Sequence, residues 1–281
     1  MIFLNAIACV HPHKFTKRLI FVLILLTLSD FVCPSILNKK LFIQSDAKSY
    51  FILPEGLYLY DAESDKLRLE RQGDFSDLLD DEGRLWLACE QGLLVYDLAY
   101  FTWKQYSPSQ NFAAPIISIA ADMDYVYAAT NDKIYRFDKL SEEWKDISFK
   151  SAESIVDMEI VGGELWAATF SELFRFIIDS EQWEHYPAAI GGREVLRVIN
   201  YDASAWVIQE GGAARFNPQF RKFEAYSSAQ GFPQERISMA ETDGVNLWIL
   251  SGQRIFRYKK GANVFEPFYR RLGHGQSLFR D

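Results

Sequence analysis

Histidine is the residue type in this sequence with the most direct capacity for chemistry, and it is scarce. The chain has four histidines, and none has another His, Cys or Glu at the spacing of a metal site. His185 lies between Trp183 and Tyr186, where an ordinary surface role is the simpler interpretation. Serine-elbow and calcium-loop patterns are also missing. The sequence therefore predicts a non-enzymatic protein without catalytic residues, metal or cofactor.

An aromatic residue that recurs along the chain organises the whole sequence. It stands at Tyr50, Trp86, Tyr127, Trp166, Trp206 and Trp248, at intervals of 36, 41, 39, 40 and 42 residues. Ten residues later comes a second aromatic: Tyr60, Tyr96, Phe137, Phe176, Phe216 and Tyr258. Seven further on lies an apolar position: Leu67, Trp103, Trp144, Trp183, Phe223 and Phe265. Because both offsets hold in all six copies, we expect the first aromatic of each copy to be a structural anchor, packed in the core.

The pattern inside each copy is that of β-strands. Apolar and polar residues alternate in segments such as LFRF and IFRY, which is the period of a strand. A short apolar run precedes each first aromatic and ends in a turn-forming cluster such as DDEG or ETDG. Each copy therefore predicts four short antiparallel strands. A lone sheet of this size cannot bury both faces, but six can if they pack face to face around an axis.

The predicted fold is thus all-β: a β-propeller of six roughly 40-residue four-stranded blades. It occupies residues 38–270. The last segment, QSLFRD at 276–281, follows Asp243 at about one repeat length. We expect residues 271–281 to begin a further blade of a seven-bladed or larger propeller. The alternative is a closed six-bladed ring in which 276–280 fills the inner-strand slot of the first blade, where LFIQSDAKS is irregular.

The N-terminus differs from the repeats. Lys14, Lys17 and Arg18 precede the apolar run LIFVLILLTL at 19–28, and a more polar segment follows. This order is typical of an export signal, and ten apolar residues are too few to cross a bilayer. Residues 1–35 are therefore predicted to be an export signal or a signal anchor, and the protein periplasmic or extracellular. Once they are removed, Cys89 is the remaining cysteine, so no disulfide framework is expected.

Composition limits the choice of partner. The net charge is −8 and 15% of the residues are aromatic. A nucleic-acid-binding protein needs a basic stripe, and no such stripe is present. The sequence therefore excludes nucleic acid as the expected partner, and membrane contact is expected only through the N-terminal anchor.

One copy carries a family resemblance. The stretch GRLWLACEQGLLVYD at 83–97 resembles two-component regulator propeller repeats, whose pattern is Asp-x-x-Gly, Leu-Trp-small-small-Thr, Gly-Leu and an aromatic-Asp pair. The matching residues are Asp80, Gly83, Trp86, Gly92, Leu93, Tyr96 and Asp97. The third and fourth copies keep Thr130 and Thr169 without the Gly-Leu pair. The resemblance covers about residues 41–268.

This resemblance implies an extracytoplasmic propeller that senses a ligand, often a glycan, ahead of a membrane-spanning signalling half. PorZ-type propellers of envelope assemblies and streptogramin lyases are similar propellers. The functional hypotheses are therefore an exported sensor-type module that binds a small molecule or glycan, and a scaffold that binds an envelope protein in a secretion assembly. A propeller lyase is the lesser alternative, since His185 lies on a different strand from the lyase histidine.

The binding face is predicted from topology. In a propeller, the turns between second and third strands share one end of the sheets with the links between blades, and loops on a rigid scaffold are where binding usually occurs. The candidate ligand-binding residues at this end are Glu90, Asp132, Glu172, Arg193, Glu210 and Arg236. Four carboxylates around the mouth suit neutral polyols, cations or basic peptides better than phosphorylated ligands.

Overall fold

The computed structural model of the protein describes residues 42–45, 48–61, 64–107, 113–186 and 194–269. The predicted export signal at 1–35 and the predicted further blade at 271–281 lie outside these residues. In the described ranges the chain forms twenty-four strands and two short 3₁₀ helices, Ile178–Ser180 and Ser228–Gln230. No helix in this part of the chain is long and apolar enough to cross a membrane.

The strands form six sheets of four, each antiparallel and in chain order. The first sheet contains β1 (Phe42–Ser45), β2 (Lys48–Leu53), β3 (Gly56–Asp61) and β4 (Lys66–Gln72). The second contains β5 (Phe75–Asp81), β6 (Arg84–Cys89), β7 (Gly92–Asp97) and β8 (Thr102–Tyr106). The third contains β9 (Ser118–Ala121), β10 (Tyr125–Ala129), β11 (Ile134–Asp138) and β12 (Trp144–Asp146).

The remaining three sheets follow the same order. The fourth contains β13 (Ile155–Val161), β14 (Glu164–Thr169), β15 (Leu173–Ile177) and β16 (Gln182–Tyr186). The fifth contains β17 (Val195–Tyr201), β18 (Ser204–Gln209), β19 (Gly212–Asn217) and β20 (Lys222–Tyr226). The sixth contains β21 (Ile237–Thr242), β22 (Leu247–Ser251), β23 (Arg254–Lys259) and β24 (Val264–Tyr269). The predicted fold class, an all-β propeller with six four-stranded blades, is confirmed.

The core of the described residues lies between sheets. Five hydrophobic clusters each combine residues of two successive sheets, from the first and second to the fifth and sixth. The six repeated aromatics are all buried, with exposures of 0 to 4%. Burial of apolar faces between sheets is therefore the main source of stability in this part of the chain.

Contacts between sheets explain the two aromatic positions of the repeat. The first aromatic of one sheet packs on the second aromatic of the next. Ring centroids are 5.6 Å apart for Trp86 and Phe137, and 4.8 Å apart for Trp166 and Phe216. The second strand of each sheet presents its ring to the next sheet, and the third strand presents its ring to the preceding sheet. This requirement fixes the offset of ten residues.

A further aromatic position was missed in the sequence. Twenty residues after the first aromatic, the last strand of four sheets carries Tyr106, Tyr186, Tyr226 or Phe268. Each of these rings packs on the first aromatic of its own sheet, at centroid distances of 5.8, 5.7, 4.9 and 5.0 Å. The first aromatic therefore contacts a ring within its sheet as well as a ring in the next sheet.

The first sheet differs from the sequence prediction in two respects. In the alternative of a closed ring, residues 276–280 were to fill its inner-strand slot. That expectation is wrong, because β1 pairs with β2 from Phe42↔Phe51 to Ser45↔Lys48 and occupies the slot. Leu67 fills the third position of the repeat, yet its side chain is 55% exposed. It lies on the outermost strand, β4, of which most residues face solvent.

A chain of buried polar contacts joins the innermost strands. Each contact runs from a side chain of one sheet to the backbone of the next. The Asp77 carboxylate accepts a hydrogen bond from the Ile119 amide at 2.7 Å. The Ser118 hydroxyl accepts one from the Met158 amide at 3.1 Å. The Asp157 carboxylate of the fourth sheet accepts one from the Val198 amide of the fifth at 2.9 Å. These bonds satisfy buried backbone donors and fix each sheet against its neighbour.

Candidate functional site

The two ends of the sheets differ in the loops they carry. We call the loop face the end with the turns between second and third strands and the links between sheets. We call the turn face the opposite end. Five of the six predicted ligand-binding residues lie on the loop face: Glu90, Asp132, Glu172 and Glu210 in the turns, and Arg236 just before β21. Arg193 lies outside the described residues.

The structure does not bring these residues together into one site. Glu90, Asp132 and Arg236 are exposed. The Asp132 carboxylate accepts a hydrogen bond from Thr130 in its own turn at 3.0 Å. Among the described residues, no hydrogen bond or ion pair joins Glu90, Asp132, Glu172 or Arg236 to another of the set. Glu172 is the one of these four that contacts side chains from outside its own turn.

A cluster around Glu172 forms a corner of the fourth sheet. One Glu172 carboxylate oxygen lies 3.1 Å from Nε2 of His185 on β16. The other accepts a hydrogen bond from Ser151, in the link that precedes β13, at 3.3 Å. The imidazole ring also stacks on Phe174, with centroids 4.5 Å apart and planes 6° apart. Three elements therefore meet at this carboxylate.

A second carboxylate fixes the turn that carries Glu172. Glu153 accepts hydrogen bonds from the Thr169 hydroxyl at 2.7 Å, the Ser171 amide at 2.7 Å and the Ser171 hydroxyl at 2.6 Å. The Ser171 and Thr169 hydroxyls lower the pKa of Glu153. These bonds hold the turn in one conformation, with Phe170 at its tip. The Phe170 ring is 50% exposed beside Glu172.

This corner has the groups that bind hydroxylated or cationic ligands. An exposed aromatic ring can stack on a sugar face or contact a cation, and Glu172 can accept hydrogen bonds. The geometry does not form a nucleophilic triad, because Ser151 donates to the carboxylate and not to the imidazole of His185. Among the described residues, no group of three His, Cys, Asp or Glu side chains is placed to hold a metal ion.

Sequence reasoning missed most of this corner. Glu172 was predicted, whereas Ser151, Glu153 and the contact with His185 were not. These residues come from separate parts of the chain, and the fold brings them together. One signal was available in the sequence. Phe170 is a large aromatic residue at a turn position that Glu90, Asn131 and Glu210 fill in the second, third and fifth copies. An aromatic residue where the repeat uses a polar one is an indication of binding.

The fold and this corner define the class: a six-bladed β-propeller with an acidic, partly aromatic corner on its loop face. No protein-family model matches the chain, and no curated protein matches it in sequence. Solved structures do match. The extracellular domain of a hybrid two-component system from B. thetaiotaomicron is 16% identical with a TM-score of 0.67. The match covers 84% of this chain and 34% of that one, so this chain spans about a third of its length.

Two other similar structures come from different functional classes. A catalytically inactive histidine-to-alanine variant of virginiamycin B lyase from Staphylococcus aureus, with quinupristin, is 13% identical with a TM-score of 0.66, over 80% of this chain and 82% of that one. A chain of the mitotic checkpoint complex is 10% identical with a TM-score of 0.69, over 87% and 82%. At these identities the similarity shows the fold. The resemblance to two-component regulator propellers is confirmed at that level.

Proposed function

We propose that this chain is an exported, non-enzymatic propeller that binds a neutral or cationic hydroxylated ligand, such as a glycan, as a sensor-type module. The observation that supports this most is Phe170. Its side chain is half exposed and does not occupy one of the repeated core positions. It lies on a turn that three hydrogen bonds to Glu153 hold in place. A fixed aromatic platform binds with little ordering cost.

The polar neighbours of Phe170 narrow the class of ligand. Glu172 lies in the same turn as Phe170. The Glu153 carboxylate is already occupied by hydrogen bonds from Ser171 of that turn. A carboxylate beside an aromatic ring favours sugar hydroxyls or an amine and repels sulfate and phosphate. We therefore expect neutral glycans to bind more tightly than sulfated ones.

The test begins with the purified full chain on an array of neutral, aminated and sulfated glycans. Calorimetry then measures the affinity of each positive glycan. Phe170→Ala should weaken binding at least tenfold, because the stacking platform is lost. Phe220→Ala is the matched control, because Phe220 is also exposed, at 65%, but lies on the turn face. If the array is negative, or if Phe170→Ala binds as tightly as the wild type, the proposal fails.

The contact between Glu172 and His185 is the observation that favours the lesser alternative, a lyase. An imidazole beside a carboxylate can serve as a general base. His185 would then act on a ligand at the same corner. Incubation of the full chain with quinupristin, followed by mass spectrometry, tests this directly. We expect the antibiotic to stay intact, and a ring-opened product that disappears with His185→Ala would establish the lyase.

A further inference from the structure

Among the described residues, six of the nine exposed large apolar side chains lie on the turn face, opposite the proposed ligand site. They stand at the tips of turns on four sheets: Tyr100, Phe101, Met123, Leu140, Phe220 and Val245, with exposures of 79, 67, 82, 96, 65 and 74%. On the loop face, Phe170 is the exposed large apolar side chain among the described turn residues. Tight turns usually place polar residues or glycine at such tips.

These turns share one construction. In each, an aspartate or asparagine side chain accepts two backbone hydrogen bonds and fixes the turn. The Asp97 carboxylate accepts from the Ala99 and Tyr100 amides, both at 3.0 Å. The Asp138 carboxylate accepts from the Leu140 and Ser141 amides, both at 2.9 Å. The backbone of these turns is therefore fixed in the free protein, which lowers the entropic cost of binding a partner.

Tyr100, Phe101, Met123 and Leu140 are exposed on turns at the same end of the second and third sheets, and we call them the apolar turn patch. Polar contacts link the turns and strands that carry these residues. The Lys139 ammonium contacts Asp81 of the second sheet at 2.5 Å, and the Lys139 amide donates to the Asp124 carbonyl at 3.0 Å. Lys104 of the second sheet pairs with Glu142 of the third at 3.0 Å.

The patch stops at the fourth sheet. The corresponding turns there contain Gly162–Gly163 and Asp179–Ser180, which are exposed and polar. Phe220 and Val245 lie beyond them on the fifth and sixth sheets. Four large side chains at these exposures present on the order of 400 Å² of apolar surface, which is the size of the largest and often functional patch on a typical monomer.

The charge around the patch indicates its partner. Residues 80–84, 97–104, 122–125 and 138–143 hold nine Asp or Glu and three Lys or Arg. The three basic side chains each lie within 4 Å of a carboxylate. Glu82, Asp124 and Glu143 are exposed at the rim. An anionic lipid surface would be repelled by this rim, and a second copy would place carboxylates against carboxylates.

We propose that the apolar turn patch is a docking surface for a protein that presents an apolar pocket bordered by lysine and arginine. This surface is separate from the ligand corner, so the two can be occupied together. Its loss would leave binding at the Phe170 corner intact. The protein would then connect a ligand on one end of the propeller to a partner on the other.

Photo-cross-linking in the organism of origin identifies the partner. A photoreactive benzoylphenylalanine replaces Leu140 or Tyr100, and the matched controls carry it in place of Phe220 on the same face or Phe170 on the other. We expect one protein adduct at positions 100 and 140 that is absent from both controls. Adducts of equal yield at all four positions, or an adduct between two copies of this chain, would overturn the proposal.

Binding of the purified partner decides whether the adduct reflects this surface. The double variant Phe101→Asn/Leu140→Ser should lower the affinity at least tenfold, and the affinity of the wild type should fall as salt rises. Asparagine is chosen because Phe101 has a φ of +57°, which Asn tolerates. Unchanged affinity in the double variant, or co-sedimentation of the wild type with 3:1 phosphatidylcholine and phosphatidylglycerol vesicles that the variant loses, would refute a protein partner.

Discussion

Asp157 is the residue whose loss should test the assembly of the sheets most directly. It lies on β13 and is 4% exposed. One carboxylate oxygen accepts hydrogen bonds from the Val198 amide at 2.9 Å and from Nε of Arg197 at 3.2 Å. The other accepts from the Ser118 hydroxyl at 3.2 Å. Asp157 on the fourth sheet thus contacts the third and the fifth.

Arg197 sets the size of the effect. Its side chain is 4% exposed and also lies 3.6 Å from Glu241 on the sixth sheet. Burial alone would lower the pKa of Arg197, and the carboxylates of Asp157 and Glu241 more than offset it, so that the pKa is raised. Asp157→Ala removes the nearer carboxylate and leaves a buried charge and a buried amide with weaker partners. Breaking such a pair costs about 3–5 kcal/mol.

Urea unfolding, followed by tryptophan fluorescence, measures this cost. For a domain of this size, a loss of about 4 kcal/mol corresponds to a fall of roughly 8–16 °C in Tm. The double variant Asp157→Ala/Arg197→Met should lose much less than the sum of the single variants, because no buried charge is left unpaired. Asp132→Ala is the control for an exposed carboxylate. Asp157→Ala within about 1 kcal/mol of the wild type, or strict additivity in the cycle, would refute the reasoning.

Three further outcomes follow from single residues. Burial raises the pKa of the Cys89 thiol, so in a Cys9→Ser/Cys33→Ser background native protein should not react with a thiol reagent, whereas unfolded protein should. Burial would raise the pKa of Asp243, but the Asn246 and Val245 amides lower it overall. Its stabilising effect is therefore full above about pH 4 and is lost as the pH falls through the folded value. Asp243→Asn should flatten the fall in unfolding free energy below about pH 4. Gly231→Ala should destabilise more than Gly162→Ala, as thermal melts would show. Both have positive φ, but a Cβ at Gly231 would lie 2.2 Å from the Phe265 carbonyl oxygen, whereas at Gly162 it meets nothing within 4 Å.

The sequence predicted the sheets well because strand register repeats. In every sheet the first aromatic pairs with the residue nine positions later, as Trp166 does with Arg175, so the second aromatic, ten positions later, recurs on the opposite face of the sheet. β1 was missed because its segment has no alternation and its strand is set by pairing with β2. The register of a repeated strand pair can be deduced from the local sequence pattern. The position of a single irregular strand depends instead on the strand with which it pairs.

The candidate site could be predicted only in part. Topology placed Glu172 on the loop face, since the turn that carries it is local in sequence. Its partners are not local: Ser151 is 21 residues away and His185 is 13. The apolar turn patch was missed for a similar reason, because Tyr100 and Leu140 look like isolated apolar residues in turns until neighbouring sheets bring them together.

The last tryptophan of the series separates packing between sheets from packing within one. Trp166 and Trp248 have similar exposures of 2 and 4%, and each packs on an aromatic ring of its own sheet. Trp166 also contacts Phe216 and Phe223 of the next sheet, at 4.8 and 6.2 Å, whereas Phe268 is the one ring that contacts Trp248 among the described residues. Aromatic pairs contribute about 0.5–1.5 kcal/mol each beyond burial. Trp166→Ala should therefore lose about 3–5 kcal/mol, and Trp248→Ala should lose about 1–2 kcal/mol less in urea unfolding. Equal losses would mean that ring contacts across sheets add little beyond burial, and the repeated aromatic pair would then need a different physical cause.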